Sequence, residues 1–302
     1  MAKKNNSGVP GPNVIVTKQC PRQCVFCLAH DEQPAMSPGN IEKVLDLGYE
    51  ALSFAGGEPL LSADLEKWVK AAVGRGTRRP LVLTSGLGLT GKRLAALLRA
   101  GVTHFHFNFP SHLEEPYNRI TCTRGKFKEQ VAAIKNACAA GPELASVGFV
   151  VNELNYRQMP DYVEYAARKF RGLFYAEFHF IKVAGRVCGQ EWLVPELGKV
   201  QPFLSQALKK AGELKLNCMT DGFPLCFMKG YESCSREAWH LFANKRSFLN
   251  NSAARDCAPC GLSELCPGPR KDYVELHGDW DFVPAPPGAA KPVLEILKSR
   301  TR

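Results

Sequence analysis

The chain has 302 residues, 45% of them hydrophobic, with 39 Lys and Arg against 29 Asp and Glu for a formal net charge of +10. This is enough apolar material for one large domain plus a smaller appendage, and without a run of roughly 18 apolar residues it excludes a membrane-spanning helix. The positive charge is scattered, Lys298 to Arg302 included, so it reads as solvated surface and implies no nucleic-acid partner; twelve cysteines without a secretory h-region point to a cytoplasmic compartment and to metal or redox use.

Residues 1–12 read as a polar tail, and Val14-Ile15-Val16 as the first strand. Directly after it comes Cys20-Pro21-Arg22-Gln23-Cys24-Val25-Phe26-Cys27, a CxxxCxxC that puts three thiols on one tight loop. A cubane iron–sulfur cluster takes four cysteines, so three leave one iron open. Half a zinc site or three reduced thiols would show the same spacing. Ile41 to Leu47 is predicted as a helix with Asn40 as its N-cap. Ala51 to Ala55 is a second strand, ending in Gly56-Gly57-Glu58-Pro59, where two glycines permit close backbone approach. Ser62 to Val73 is helical; Leu81 to Thr84 is a third strand followed by Ser85-Gly86; Gly91 to Ala100 is a helix stopped by Gly101.

His104 to Phe109 forms a fourth strand, with His104 and His106 on one face as structural histidines and Asn108 at its end. Phe127 to Ala140 is a helix carrying Cys138 as a core thiol, Val147 to Val151 a strand ending at Asn152, Met159 to Phe170 a helix, and Phe174 to Phe180 a sixth strand. Six βα repeats predict an α/β fold, a partial (βα)6 TIM-type barrel over residues 13–190. In such barrels functional groups gather at the C-terminal strand ends. The cysteine loop and Gly56 to Pro59 both fall there.

After Ile181 the rhythm breaks. Pro195 to Gly212 reads as a helix and Leu214 to Leu216 as a strand, within a small Cys-rich domain over residues 191–282. Cys257-Ala258-Pro259-Cys260 with Cys266 forms CxxCx5C, which suits a zinc knuckle and an iron–sulfur cluster equally. Pro284 to Gly288 is a turn in a C-terminal tail, 283–302, with a short helix at Val293 to Leu297.

The CxxxCxxC followed one βα unit later by Gly56-Gly57-Glu58-Pro59 resembles the radical S-adenosylmethionine (SAM) superfamily. The resemblance implies a 4Fe-4S cluster on Cys20, Cys24 and Cys27, whose open iron takes the amino and carboxylate groups of SAM. It implies that Gly56, Gly57, Glu58 and Pro59 meet the methionine ammonium, that Phe26 flanks the adenine, and that Asn108 bonds the ribose. Ser85 stands where many relatives have Asn; its hydroxyl would donate to the SAM carboxylate. Asn152 is either a further SAM contact or a turn residue, and Arg186 after the sixth strand is either a carboxylate grip or a surface cation. The C-terminal cysteines resemble the SPASM and twitch families and imply one auxiliary 4Fe-4S cluster on Cys226, Cys257, Cys260 and Cys266, with Cys218 and Cys234 as competing fourth ligands. A full SPASM domain carries a cysteine where this chain has Arg270. Cys188, in a loop past the barrel, is a candidate hydrogen-atom donor.

The implied reaction is hydrogen abstraction from an unactivated C–H bond, with an auxiliary cluster accepting the electron left behind. Peptide oxidation, crosslinking or epimerisation is the leading expectation, with a flavodoxin- or ferredoxin-like electron donor. Dehydrogenation or epimerisation of an aminoglycoside-type sugar is the alternative. The barrel's start near Val14 suggests no N-terminal peptide-recognition domain. The molybdenum-cofactor cyclases are set aside because the end, Lys298 to Arg302, lacks their Gly-Gly-Arg tail. A non-catalytic iron–sulfur or zinc protein is the reading from another class.

Overall fold

The structure is a computed structural model that describes residues 11–28, 34–244 and 257–300. The expected N-terminal tail, up to Pro10, lies outside the described residues, as do the last two residues. Seven strands form one parallel sheet in chain order: β1 (Asn13–Thr17), β2 (Ala51–Gly56), β3 (Arg79–Thr84), β4 (His104–Asn108), β5 (Ala145–Val151), β6 (Tyr175–Phe180) and β7 (Cys218–Asp221). Among the described residues β1 and β7 do not pair, so the sheet is an open, partial barrel.

Parallel neighbours require a crossover, and amphipathic helices supply it. They are α1 (Pro38–Asp46), α2 (Leu65–Gly74), α3 (Gly91–Ala100), α4 (Glu114–Thr121), α5 (Phe127–Ala140), α6 (Met159–Lys169) and α7 (Leu197–Glu213). In α2 the buried residues Leu65, Trp68, Val69 and Ala72 recur at helical spacing. The strands alternate. Phe105, Phe107, Val147, Phe149, Ala176 and Phe178 are buried on the helix side, with Phe149 edge-on to Tyr162 of α6 at 4.6 Å. The opposite face carries His104, His106, Ser146, Tyr175, Glu177 and His179, so the barrel interior is polar.

Several sequence expectations are corrected. The strand expected at Leu214 to Leu216 is a turn, in which Lys215 adopts a left-handed φ of 54°. The strand comes later, as β7, and adds a seventh member to the sheet through its pairing with β6. Ser37, not Asn40, caps α1: its hydroxyl accepts the Asn40 N–H at 3.3 Å. Helices α4, α8 (Arg236–Asn244) and α9 (Lys271–His277) were not anticipated: α4 and α9 are mostly polar, and α8 lies in the stretch where the sequence rhythm breaks. The final helix, α10 (Ala290–Ser299), is longer than expected and buries Ala290, Val293 and Leu297.

Candidate cluster and cofactor site

The cysteine loop leaves β1 and is tied down by its own backbone. The N–H groups of Gln23 and Val25 donate to the carbonyls of Thr121 and Ile120 at 3.1 and 2.9 Å. Arg22 does the rest. Its guanidinium is buried and donates to the Asn108 carbonyl at 3.1 Å and to Tyr117 Oη and Gln130 Oε1 at 2.6 Å each. One side chain thus ties the loop to β4, α4 and α5. Cys20 is exposed, Cys24 buried and Cys27 half-buried. Burial pushes the Cys24 thiol up to about 12, with Arg22 opposing and Cys27 and Cys20 adding to the rise, so the three sulfurs share one electrostatic neighbourhood. Phe26 is buried in the core.

The Gly56-Gly57 turn lies directly on this loop. Gly56 has a φ of 144°, and a Cβ there would sit 2.1 Å from the Thr17 carbonyl oxygen. A Cβ on Gly57 would sit 2.3 Å from that of Gln19. Only glycine lets the backbones meet, and the Gly57 and Glu58 N–H groups bond those same carbonyls at 2.8 and 2.7 Å. Gly185 repeats the device from β6: its Cβ would meet the Cys27 carbonyl oxygen at 2.4 Å, and the Arg186 N–H donates to that oxygen at 3.1 Å. The ends of β1, β2 and β6 therefore converge on the three thiols.

The Glu58 carboxylate is buried and receives four donors: Leu60 N–H at 3.2 Å, Thr84 Oγ1 at 2.5 Å, and both the N–H (2.7 Å) and the hydroxyl of Ser85. Four donors fill its lone pairs. The Ser85 hydroxyl proton is therefore committed to Glu58, while its oxygen accepts the Leu87 N–H at 3.3 Å. The hydroxyl expected to meet a ligand is here a partner of Glu58. Asn152 takes the turn role: its side chain accepts the Leu154 N–H at 3.0 Å and donates to the Val150 carbonyl at 2.8 Å.

Among the buried polar atoms without a hydrogen-bond partner in the described residues, Asn108 Oδ1 and Arg186 Nε belong to residues at this site. Orphans of this kind require an explanation. Both residues adjoin the cysteine loop, through the Arg22 bond to the Asn108 carbonyl and the Arg186 bond to Cys27. Three clustered thiols, a glycine cradle and unpartnered polar atoms are what a cluster with a polar ligand would need. Cys188 sits exposed, one turn beyond Arg186.

In the C-terminal region Cys226, Cys257, Cys260 and Cys266 line one cavity of about 350 Å³. Burial pushes Cys226 up to about 12, with Cys266, Cys257 and Cys260 as its charged neighbours. Cys218 is instead influenced by Cys234, and the two stand apart from this group. Backbone N–H groups of Leu225 and Ala285 donate to Cys266 Sγ at 3.5 Å and Cys260 Sγ at 3.3 Å. The segment expected as a turn, Pro284 to Gly288, packs over the cavity: Gly261 N–H bonds the Ala285 carbonyl at 2.9 Å. Arg270 clamps this region to the barrel. It donates to the Phe180 and Ile181 carbonyls at 2.9 and 2.5 Å and forks onto Asp272 at 2.9 and 3.0 Å.

Sequence reading missed a charged network in the barrel interior. Glu177, His179, Asp221 and Arg236 come from β6, β7 and α8, and only a fold places them together. Burial favours a raised Glu177, yet His179 and Arg236 hold it down at about 2. Burial favours a lowered His179, yet Glu177 and Asp221 lift it to about 9. His104 is satisfied as expected, bonded to the Glu143 carbonyl and the Ser146 hydroxyl at 2.6 Å each.

Residues 14–166 match the radical SAM superfamily model. The chain is 30% identical over 287 residues to a PqqA peptide cyclase of Gluconobacter oxydans (strain 621H), covering 89% of this chain and 75% of that protein. It is 27% identical over 167 residues to a GTP 3′,8-cyclase of Rhodococcus opacus (strain B4), covering 52% of this chain and just under half, 47%, of that protein. The structure of native anSMEcpe with bound AdoMet and Kp18Cys peptide superposes with a TM-score of 0.66 at 12% identity, over 95% of this chain and 98% of that one.

Proposed function

The chain belongs to the radical SAM superfamily, whose cofactors are a 4Fe-4S cluster and SAM, and from that premise we propose that it modifies a peptide by hydrogen abstraction, with an auxiliary cluster as electron acceptor. Bound together, the superfamily's cofactors supply a carbon-centred adenosyl radical that takes a hydrogen atom from an unactivated carbon. Cys20, Cys24 and Cys27 would hold the first cluster and leave one iron for SAM. The carbonyls of the Gly56-Gly57-Glu58-Pro59 turn would face the methionine ammonium, since the Glu58 carboxylate is already filled. Asn108 Oδ1 and Arg186 Nε would find in SAM the partners they lack. Phe26 would brace the adenine side of the loop.

The observation that carries the oxidative reading is the gathering of Cys226, Cys257, Cys260 and Cys266 around one cavity. Four thiolates close a cubane, and a closed cluster moves electrons without binding substrate. The N–H bonds to Cys260 and Cys266 would tune the potential of a cluster held there. Cys226, and not Cys218 or Cys234, is the fourth ligand in this reading. A peptide substrate is supported by the extent of likeness to a PqqA peptide cyclase and by the fold shared with a peptide-bound structure. The Gly185–Cys188 turn rests on the Cys27 carbonyl, and Cys188 would act as hydrogen donor only in an epimerisation, where the substrate radical takes a hydrogen atom back and passes no electron to the auxiliary cluster. A flavodoxin- or ferredoxin-like protein would supply the reducing electron.

The test is anaerobic reconstitution, reduction with dithionite and quantification of 5′-deoxyadenosine. Wild type should release it. A Cys20→Ala/Cys24→Ala/Cys27→Ala variant should release none and keep about four irons per chain on the C-terminal thiols. Release by that variant would overturn the site assignment.

A further inference from the structure

The inner wall of the barrel carries a second donor set, away from any cysteine. Ligand atoms of His106 on β4 and of Glu177 and His179 on β6 all lie within 4.8 Å of one another. Both imidazoles are oriented. His106 Nδ1 bonds the Ser146 hydroxyl at 2.8 Å, and His179 Nδ1 faces Asp221 Oδ2 at 3.5 Å. His104 Nδ1 donates to the Glu143 carbonyl, so its Nε2 accepts the Ser146 hydroxyl proton and Ser146 Oγ in turn accepts from His106 Nδ1. This leaves the His106 Nε2 lone pair free, while Asp221 orients His179 through Nδ1, as second partners do for metal-bound histidines.

Gly148 on β5 makes the room. A Cβ there would sit 2.5 Å from His106 Nε2 and 3.4 Å from His179 Nε2, so both nitrogens point over the same bare stretch of backbone. Glu177 is only 3% exposed. Its Oε2 lies 3.3 Å from His179 Nε2, while Oε1 is buried without a hydrogen bond. The Nε of Arg236 approaches that Oε1 at 3.3 Å as an ion pair, but its closer partner is Asp221, at 2.9 Å. Glu177 is thus shared between Arg236 and His179, and a metal would take the place of the proton on His179 Nε2 in this cluster.

We propose that His106 Nε2, His179 Nε2 and Glu177 form a mononuclear site for a divalent transition metal inside the barrel, distinct from both cysteine clusters. Two imidazoles and one carboxylate suit zinc or ferrous iron, at ligand distances near 2.0–2.2 Å. Three protein ligands leave a coordination position open. The site lies on the strand face that also bears Asn108, two residues beyond His106, so it borders the space proposed for SAM.

The test uses the reconstituted, desalted holoenzyme with the seven cluster cysteines occupied and a Cys188→Ser/Cys218→Ser/Cys234→Ser background, wild type at the barrel site, to remove competing thiols, titrated anaerobically with zinc chloride by calorimetry. Wild type should take up one equivalent of zinc. His179→Gln should take up none at the same concentrations, and Ser146→Ala, which frees His106 Nδ1, should bind about tenfold more weakly. Iron content and melting temperature report whether each variant is folded, and Ser146→Ala decides the matter if His179→Gln is not. Equal zinc uptake by wild type and His179→Gln overturns the proposal, as does no uptake by wild type or unchanged affinity in Ser146→Ala.

Discussion

Replacing Arg22 by Ala removes one guanidinium from three acceptors that come from β4, α4 and α5. The acceptors stay buried, so the loss should be about 3 kcal/mol of stability, the upper range for hydrogen bonds to a charged group. The cysteine loop should slacken with it, although every thiol remains. Denaturant unfolding and the iron-to-protein ratio check both effects; an unchanged ratio would show that the loop holds its shape without Arg22. None of this was legible in the CxxxCxxC spacing. The cysteines declare themselves because their spacing is local, whereas Arg22 finds partners 86 to 108 residues away. Glu58 and Ser85 illustrate the same limit. Their pairing requires β2 and β3 to lie side by side, and no local spacing announces it. Asn152 differs: both its turn and its ligand reading were visible, and a bond two residues along the chain decided for the turn.

Elements with strong apolar periodicity were the readable ones. α2, α5 and α7 sit close to their expected places, since each buries a regular apolar stripe. α4 and α9 escaped because their buried residues are few and their surfaces charged, and α8 because it falls where the βα rhythm has already broken. β7 escaped because Leu214-Lys215-Leu216 alternates like a strand while Lys215 turns the chain. Arg270, which stands where a further cysteine was sought, proves to be the joint between β6 and α9. Its side chain is 11% exposed, so Arg270→Ala strands Asp272 and two carbonyls and should cost about 3 kcal/mol. The same joint has a pH signature. Burial alone raises Asp272, but Arg270 and the Val183 N–H hold its carboxyl below the usual range. A depressed carboxyl stabilises above its unfolded value, about 3.9, and that contribution is lost as pH falls through the folded value. Acid unfolding followed by circular dichroism should show the wild type losing stability below about pH 4 more steeply than Asp272→Asn. Parallel curves would remove the joint from the account.

At the scale of the whole molecule, one open parallel sheet places both thiol groups. The strand ends of β1, β2 and β6 gather the first three cysteines, and β7 leads directly into the loop that bears Cys226. That continuity was the least legible feature, because the sequence rhythm breaks after Ile181 while the sheet does not. The central claim is that three thiolates hold a cluster with one iron left for SAM, beside a second cluster closed by four. The electron paramagnetic resonance spectrum of the reduced, reconstituted protein, recorded with and without SAM, tests it most directly. SAM should change the signal of one of two 4Fe-4S clusters and leave the other untouched, and the change should vanish in the Cys20→Ala/Cys24→Ala/Cys27→Ala variant. Identical spectra with and without SAM would contradict the account.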